Sequence, residues 1–121
     1  MPIIDSFKSG SIVISGKTYT RDVLILPDGT VKQRKSGFWK FGSHIVNKSE
    51  IDELLTANPQ VVVVGTGTGA KAELGVGLDV ESRVAGARVE LIALPSEEAV
   101  QRLNRLVDAG KRVAALIHIT R

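Results

Sequence analysis

No cysteine occurs anywhere in this sequence, and only 4% of it is aromatic. The first absence excludes disulfide frameworks, thiolate zinc sites and cysteine nucleophiles. The second means that a hydrophobic core has to be assembled from Val, Ile, Leu and Ala. No apolar run is long enough to cross a bilayer, and no charged-then-apolar signal segment opens the chain. Repeats, low-complexity tracts and linkers are missing as well. What remains is 121 residues, 43% of them hydrophobic, which suits one compact domain over residues 1–121. A soluble protein of the cytoplasm is the expectation, without contact to a membrane.

The net charge of +3 is unevenly spread. Residues 1–48 hold eight Lys and Arg against three Asp and Glu, a net of +5. Residues 49–121 hold eight against ten, a net of −2. The basic excess is local. It fits an anionic partner or an ordinary solvated face.

The two halves also differ in rhythm. In the first, "SIVISG" (11–16) reads as a strand, and "KTYTRDVLILP" (17–27) reads as one strand running to Pro27. "PDG" turns the chain, and "TVKQRK" (30–35) returns as the second arm of a hairpin. In the second half, Ser49 caps a helix over "SEIDELLTANP", with Glu50, Asp52 and Glu53 in its first turn. "QVVVVG" (60–65) is dominated by β-branched residues and suits a strand buried on both faces. Asp79 is placed as the cap of a short helix to Val84, ended by Gly86, after a glycine-rich connection. "RVELIAL" (88–94) is another strand. "SEEAVQRLNRLVDAG" (96–110) is the clearest helix, with Ser96 as cap candidate and Gly110 as its left-handed stop. "RVAALIHI" (112–119) is the last strand. Alternating strands and helices imply parallel pairing and right-handed crossovers. The expected fold is α/β: a single domain whose mixed sheet joins an N-terminal β-hairpin region to a C-terminal β-α-β-α-β unit flanked by helices.

The most suggestive motif is "VVVVGTGTG" (61–69), with Lys71 just beyond. A dinucleotide fingerprint needs G-x-G-x-x-G, a long helix and an acidic residue about 20 positions on. Here the spacing is G-x-G-x-G, and Glu90 falls inside a strand. A phosphate loop needs Lys followed by Ser or Thr, and Ala72 follows Lys71. Neither motif is present. A glycine loop at the carboxyl end of a parallel strand still offers backbone N–H groups to an anion. Gly65, Thr66, Gly67, Thr68, Gly69 and Lys71 are therefore candidate ligand-binding residues. The competing account is a tight exit from a buried strand.

His44 and His118 are the only histidines. If the last strand neighbours "QVVVVG", His118 and Thr120 approach the mouth of the glycine loop, so both histidines join the candidates. No spacing supplies the three or four ligands of a metal site, no nucleophile elbow appears, and neither a metal, a cofactor nor a catalytic residue is assigned. "KQRKSGFWKFGSH" (32–44) interleaves bases with Phe38, Trp39 and Phe41. That composition suits base stacking and phosphate neutralisation, and equally the packing of a core short of aromatics.

Several segments agree in order with a known family. "SGSIVISGKTY", "VLILPDGTV", "KFGSHIVNKSEIDELL", "VVVVGTGTGA" and "LPSEEAVQRLNRLVDAGKRVAALIHIT" together resemble a small domain of unknown function typified by a methanogen protein. That domain also occurs in the adipogenesis-associated domain protein of animals and in a mitochondrial complex I assembly factor. The resemblance covers nearly the whole chain and is nearest to the short prokaryotic forms. It implies a mixed sheet flanked by helices and no established reaction. Matching positions are Gly65, Thr66, Gly67, Asn104, Arg112 and His118. Leu103 stands where many members have Tyr, and Arg121 where many have Cys, which removes any thiol chemistry at that end.

Three functional readings follow. The first is a non-catalytic binding or assembly module with a protein partner. The second is a small-ligand binder or enzyme using a cleft at the glycine loop. The third is a nucleic-acid binder working through the basic, aromatic front. The sequence carries no signal for oligomeric state.

Overall fold

The computed structural model describes residues 4–8, 10–33, 48–67 and 78–119. They form an α/β domain with two sheets. The smaller is antiparallel: β1 (Ile4–Lys8), β2 (Ser11–Ile14) and β3 (Lys17–Tyr19) pair in sequence order. The larger is mixed. It contains β4 (Val23–Ile25), β5 (Val31–Gln33), β6 (Val61–Gly65), β7 (Glu90–Leu94) and β8 (Val113–Ile117), in the order β5-β4-β8-β6-β7. β6 runs parallel to both β7 and β8, whereas β4 is antiparallel to β8 and to β5. The hairpin therefore extends the sheet of the α/β unit, and the three-stranded sheet packs upon it.

Three helices follow the sequence rhythm: α1 (Lys48–Thr56), α2 (Leu78–Gly86) and α3 (Ser96–Asp108). Asn58 at φ 57° and buried Pro59 end the α1 segment. Gly110 takes φ 81° beyond α3, the left-handed stop that glycine adopts without strain. Asp79, expected as a cap, lies one residue inside α2.

Strand alternation divides the core in two. Val61 and Val63 of β6, with Val113, Ala115 and Ile117 of β8, face a layer made by Ala99, Val100 and Leu103 of α3 and Ile4, Ile12 and Ile14 of the small sheet. Val62, Val64, Ala114 and Leu116 face the opposite layer, where Ile51, Leu54, Val80 and Val84 of α1 and α2 pack. Each of the two central strands is buried along its full length, as a continuous apolar run requires. Among the described residues the fully buried side chains of both clusters are aliphatic, with Phe7 and Tyr19 packed against the first. Among the described residues no helix is long and apolar enough to cross a membrane.

Two sequence expectations are corrected. "KTYTRDVLILP" is not one strand. Thr20, Arg21 and Asp22 break it, and its two parts belong to different sheets. The break holds because the Asp22 carboxylate is drawn onto the end of β8, as described below. The second correction is β1, which sequence reading missed. A register shift between Ile4 and Ser6 spoils the period-two alternation by which a strand is recognised.

The turn between β4 and β5 has its own electrostatics. Leu26 N–H donates to Thr30 O over 2.8 Å, Gly29 takes φ 97°, and Thr30 N–H donates to Asp28 Oδ1 over 2.9 Å. The Thr30 hydrogen bonds hold the Asp28 carboxyl below the usual aspartate range. A lowered folded-state pKa favours the ionised form. Its contribution is thus complete above the unfolded value and is lost as pH falls through the folded one. In a pH titration by NMR, the Thr30 amide is expected to shift with a midpoint below the ordinary aspartate value. Asp28→Asn should abolish that step, and a midpoint at or above the usual value would contradict the turn geometry.

Candidate functional site

Four segments meet at the carboxyl end of the parallel strands. They are Gly65–Thr66–Gly67 leaving β6, His118 and Ile119 leaving β8, Pro95–Ser96 entering α3, and Asp22 before β4. Ser96 is at the centre. It begins the helix but does not cap it: Pro95 holds the cap position and makes no side-chain cap hydrogen bond. The Ser96 hydroxyl instead donates to His118 O (2.5 Å) and accepts from Gly67 N–H (3.0 Å). Its own N–H donates to Gly67 O (2.9 Å). The side chain is fully buried.

The loop glycines have separate physical causes. A Cβ on Gly65 would lie 2.8 Å from Ser96 Oγ and 3.2 Å from both Ser96 Cα and Ile117 Cδ1. The strand and helix approach too closely for any side chain there. Gly67 takes φ 131°, a region that L side chains rarely enter. Thr66 N–H and its hydroxyl both donate to Leu94 O, at 2.8 and 3.1 Å. The N–H groups of Thr66 and Gly67 are thus spent inside the protein. His118 N–H donates to Gly65 O (3.0 Å) and closes the β6–β8 side.

Asp22 secures the end of β8 from the other flank. Its Oδ1 accepts the Ile119 N–H (2.9 Å), and Oδ2 lies 2.7 Å from His118 Nδ1. A carboxylate only accepts, so Nδ1 carries the proton. Both side chains are buried, at 5% and 1% exposure. Aspartate, histidine and serine therefore share one neighbourhood without forming a catalytic relay. The Ser96 hydroxyl points at a main-chain carbonyl, whereas a nucleophile would need the imidazole.

Beside this cluster lies a cleft of about 640 Å³, lined by Phe7, Lys8, Gly67, Pro95, Glu97, Glu98 and Gln101. Of the ligand-binding candidates named from the sequence, Gly67 lines it. Thr66 and His118 are buried, as is Gly65, and Thr68, Gly69, Lys71 and His44 lie outside the described residues. Thr120 does so as well. Sequence reading missed Asp22, which has the look of a mid-strand charge, and misplaced Ser96 as a cap. An acidic residue inside an apolar strand run was the available signal. Among the described residues no three His, Asp or Glu side chains are grouped to hold a metal ion.

The family model described as protein of unknown function (DUF498/DUF598) matches residues 4–118. The chain belongs to the DUF498/DUF598 family. No curated protein matches it. Among solved structures it is similar to "MT938", at 31% identity with both chains fully covered and a TM-score of 0.80. It is also similar to the conserved hypothetical protein PH1505 of Pyrococcus horikoshii OT3, at 29% identity, 98% coverage of each chain and a TM-score of 0.85. A Mth938-like domain protein of Bordetella pertussis shares the fold at 16% identity, with 98% and 85% of the two chains covered and a TM-score of 0.67.

The positions named from the sequence resemblance are largely fastenings. Asn104 on α3 accepts the Ile4 N–H (3.0 Å) and donates to Ile4 O (2.9 Å), pinning β1 in a two-point clamp. Arg112 N–H donates to Gln60 Oε1 (3.0 Å), and its Nε donates to Asn58 O (3.0 Å), tying the entry of β8 to that of β6. Gly65, Thr66, Gly67 and His118 fasten the opposite end.

These contacts predict large effects on stability. Ser96→Ala leaves the Gly67 N–H and His118 carbonyl short of a buried partner, at about 1–3 kcal/mol for each group. Gly65→Ala forces overpacking against the start of α3 and is expected to cost about 1–3 kcal/mol. Asp22→Ala should cost roughly 2–5 kcal/mol by uncovering both Ile119 N–H and the imidazole. Denaturant unfolding measures all three. Changes within a few tenths of a kcal/mol would refute the central role of this cluster.

Proposed function

We propose that this DUF498/DUF598 domain is a non-catalytic binding or assembly module whose partner is a protein. The observation that supports this reading most is the use of the polar groups at the sheet end. Among the described residues, Ser96, Asp22 and His118 are the chemically competent side chains there, and all three are buried and engaged with main chain or with one another. The exposed groups beside them are of another kind. Phe7 is half-buried, and Lys8, Glu97, Glu98 and Gln101 are exposed around the cleft. An apolar seat rimmed by both signs of charge suits recognition of a polypeptide surface.

A second reading places a small ligand or a substrate in the same cleft, where Gly67 forms part of the wall. With the N–H groups of Thr66 and Gly67 already used, such a ligand would meet two glutamates and one lysine among the described lining. That balance favours a cationic or amine-bearing molecule over an anion. Thr68, Gly69, Lys71 and His44 remain candidates for its contacts. The third reading, nucleic acid, rests on residues 32–44, of which only Lys32 and Gln33 are described. Lys32 pairs with Glu53 of α1, so this lysine is partly neutralised already.

Affinity purification from the native cell separates the readings. The wild-type domain should retain one protein in near-equal amount, and the charge-reversed Lys8→Glu/Glu97→Lys/Glu98→Lys variant should lose it while melting normally. Consumption of a metabolite from cell extract, abolished by a stably folded His118→Gln variant, would overturn the non-catalytic reading. A small molecule that raises the melting temperature of the wild type but not of the cleft variant would favour the second.

A further inference from the structure

The outer edge of β7 carries a surface that the sheet leaves open. Among the described residues no strand lies beyond β7. β7 pairs with β6 in continuous register, without a bulge. It reads Glu-Leu-Ile-Ala-Leu, with its single charge at the first position. Glu90 and Ala93 are exposed and the other three residues are half-buried, in contrast to the wholly buried β6 and β8. The usual protections of an edge are an internal proline, an inward lysine or a bulge. None is present in β7.

The direction of its peptide groups follows from the hydrogen bonds. Glu90 N–H donates to Gln60 O, and Leu94 O accepts from Thr66 N–H. Glu90, Ile92 and Leu94 therefore turn their main-chain groups toward β6, and Leu91 and Ala93 turn theirs outward. Two further positions share the outward parity. Val89 N–H already donates to Val84 O over 3.2 Å, and Pro95 has no N–H to offer. Leu91 and Ala93 are left as the two outward donors of the edge.

We infer that this edge is an interface between two copies of the chain, joined antiparallel through β7 about a two-fold axis at Ile92. The disposition of donors selects that register. With Leu91 opposite the partner subunit's Ala93, each residue both donates and accepts, and the symmetry supplies the second such pair. A shift of the axis to Leu91 sets Ala93 against Val89, whose N–H is taken. A shift to Ala93 sets Leu91 against Pro95, which has none. Directly opposed residues of an antiparallel pair share a face. Ile92 thus meets its own copy on the α3 side, and the apolar layers of both subunits become continuous. Beyond the paired residues, exposed Arg88 runs toward the partner subunit's Glu97 and Glu98, a match of opposite charge. The interface rests on main-chain groups of β7 and does not depend on the reading of the cleft.

Sedimentation velocity over a wide concentration range tests it, together with hydrogen exchange followed by NMR. The wild type is expected to pass from one chain to twice that mass, with the Leu91 and Ala93 amides becoming protected in step. Ala93→Pro removes an outward donor without touching the bonds to β6, and Ile92→Lys places two charges at the axis. Each should weaken dimerisation by about tenfold or more, with the far-ultraviolet circular dichroism unchanged. A chain that stays monomeric throughout would assign the edge to a strand of some other protein and overturn the proposal. So would a dimer in which both amides exchange freely. That second outcome is read on the wild type alone, and it decides the matter even if a variant fails to fold.

Discussion

Everything at the carboxyl end of the sheet depends on the hydroxyl of Ser96. It is one oxygen, fully buried, that donates to the carbonyl of His118 and accepts from the N–H of Gly67. Two strand exits end in those groups, one from β6 and one from β8. A third element, α3, begins at the serine itself. For the oxygen to reach both, the helix must approach β6 so closely that position 65 has room for glycine alone. The loop must then turn through a backbone angle that glycine tolerates at position 67. The glycines of "VVVVGTG" are thus consequences of the serine bridge. Their spacing follows from a packing distance and a dihedral angle, where a nucleotide loop would take its spacing from a phosphate.

This explains which parts of the structure were legible in the sequence. The central strands could be read directly because a short, continuous β-branched or apolar run marks a strand buried on both faces, and α3 because its apolar residues repeat at the helical period. Val61 to Val64 form such a run, Ala99, Val100 and Leu103 such a repeat, and all are buried. The hairpin at Pro27 was legible from turn chemistry, which is equally local. What escaped was non-local. Ser96 has the sequence appearance of a helix cap, but the demand for a partner on the buried His118 carbonyl outweighs capping. Asp22 appears as an interruption of a strand, and its meaning lies in a contact with His118 and Ile119 at the other end of the chain. Of the candidate ligand-binding residues, Gly65, Thr66 and His118 were brought together as anticipated from strand adjacency. The cleft next to them shares Gly67 with the candidates and is otherwise lined by Phe7, Lys8, Pro95, Glu97, Glu98 and Gln101, whose convergence no local pattern announces.

The residues that carry the family resemblance are correspondingly architectural. Asn104 clamps β1, Arg112 joins the entries of β6 and β8, and the glycine loop with His118 joins their exits. The surfaces of the described residues differ in character: a charged, partly apolar cleft at the end of the sheet, and a largely apolar edge strand along its side.

The switch of sheets at Thr20–Asp22 has a consequence for biosynthesis. Asp22 reaches its partners across 96 and 97 residues of chain, and Ile4 reaches Asn104 across 100. β4 has its place in the large sheet only beside β8, which leaves the ribosome long after the front half. The front half therefore waits, with Ile12, Ile14, Val23 and Ile25 uncovered, until β8 emerges. Topology of this kind slows folding and lengthens exposure to misassembly. The nascent front half is where a holding chaperone would find its apolar target.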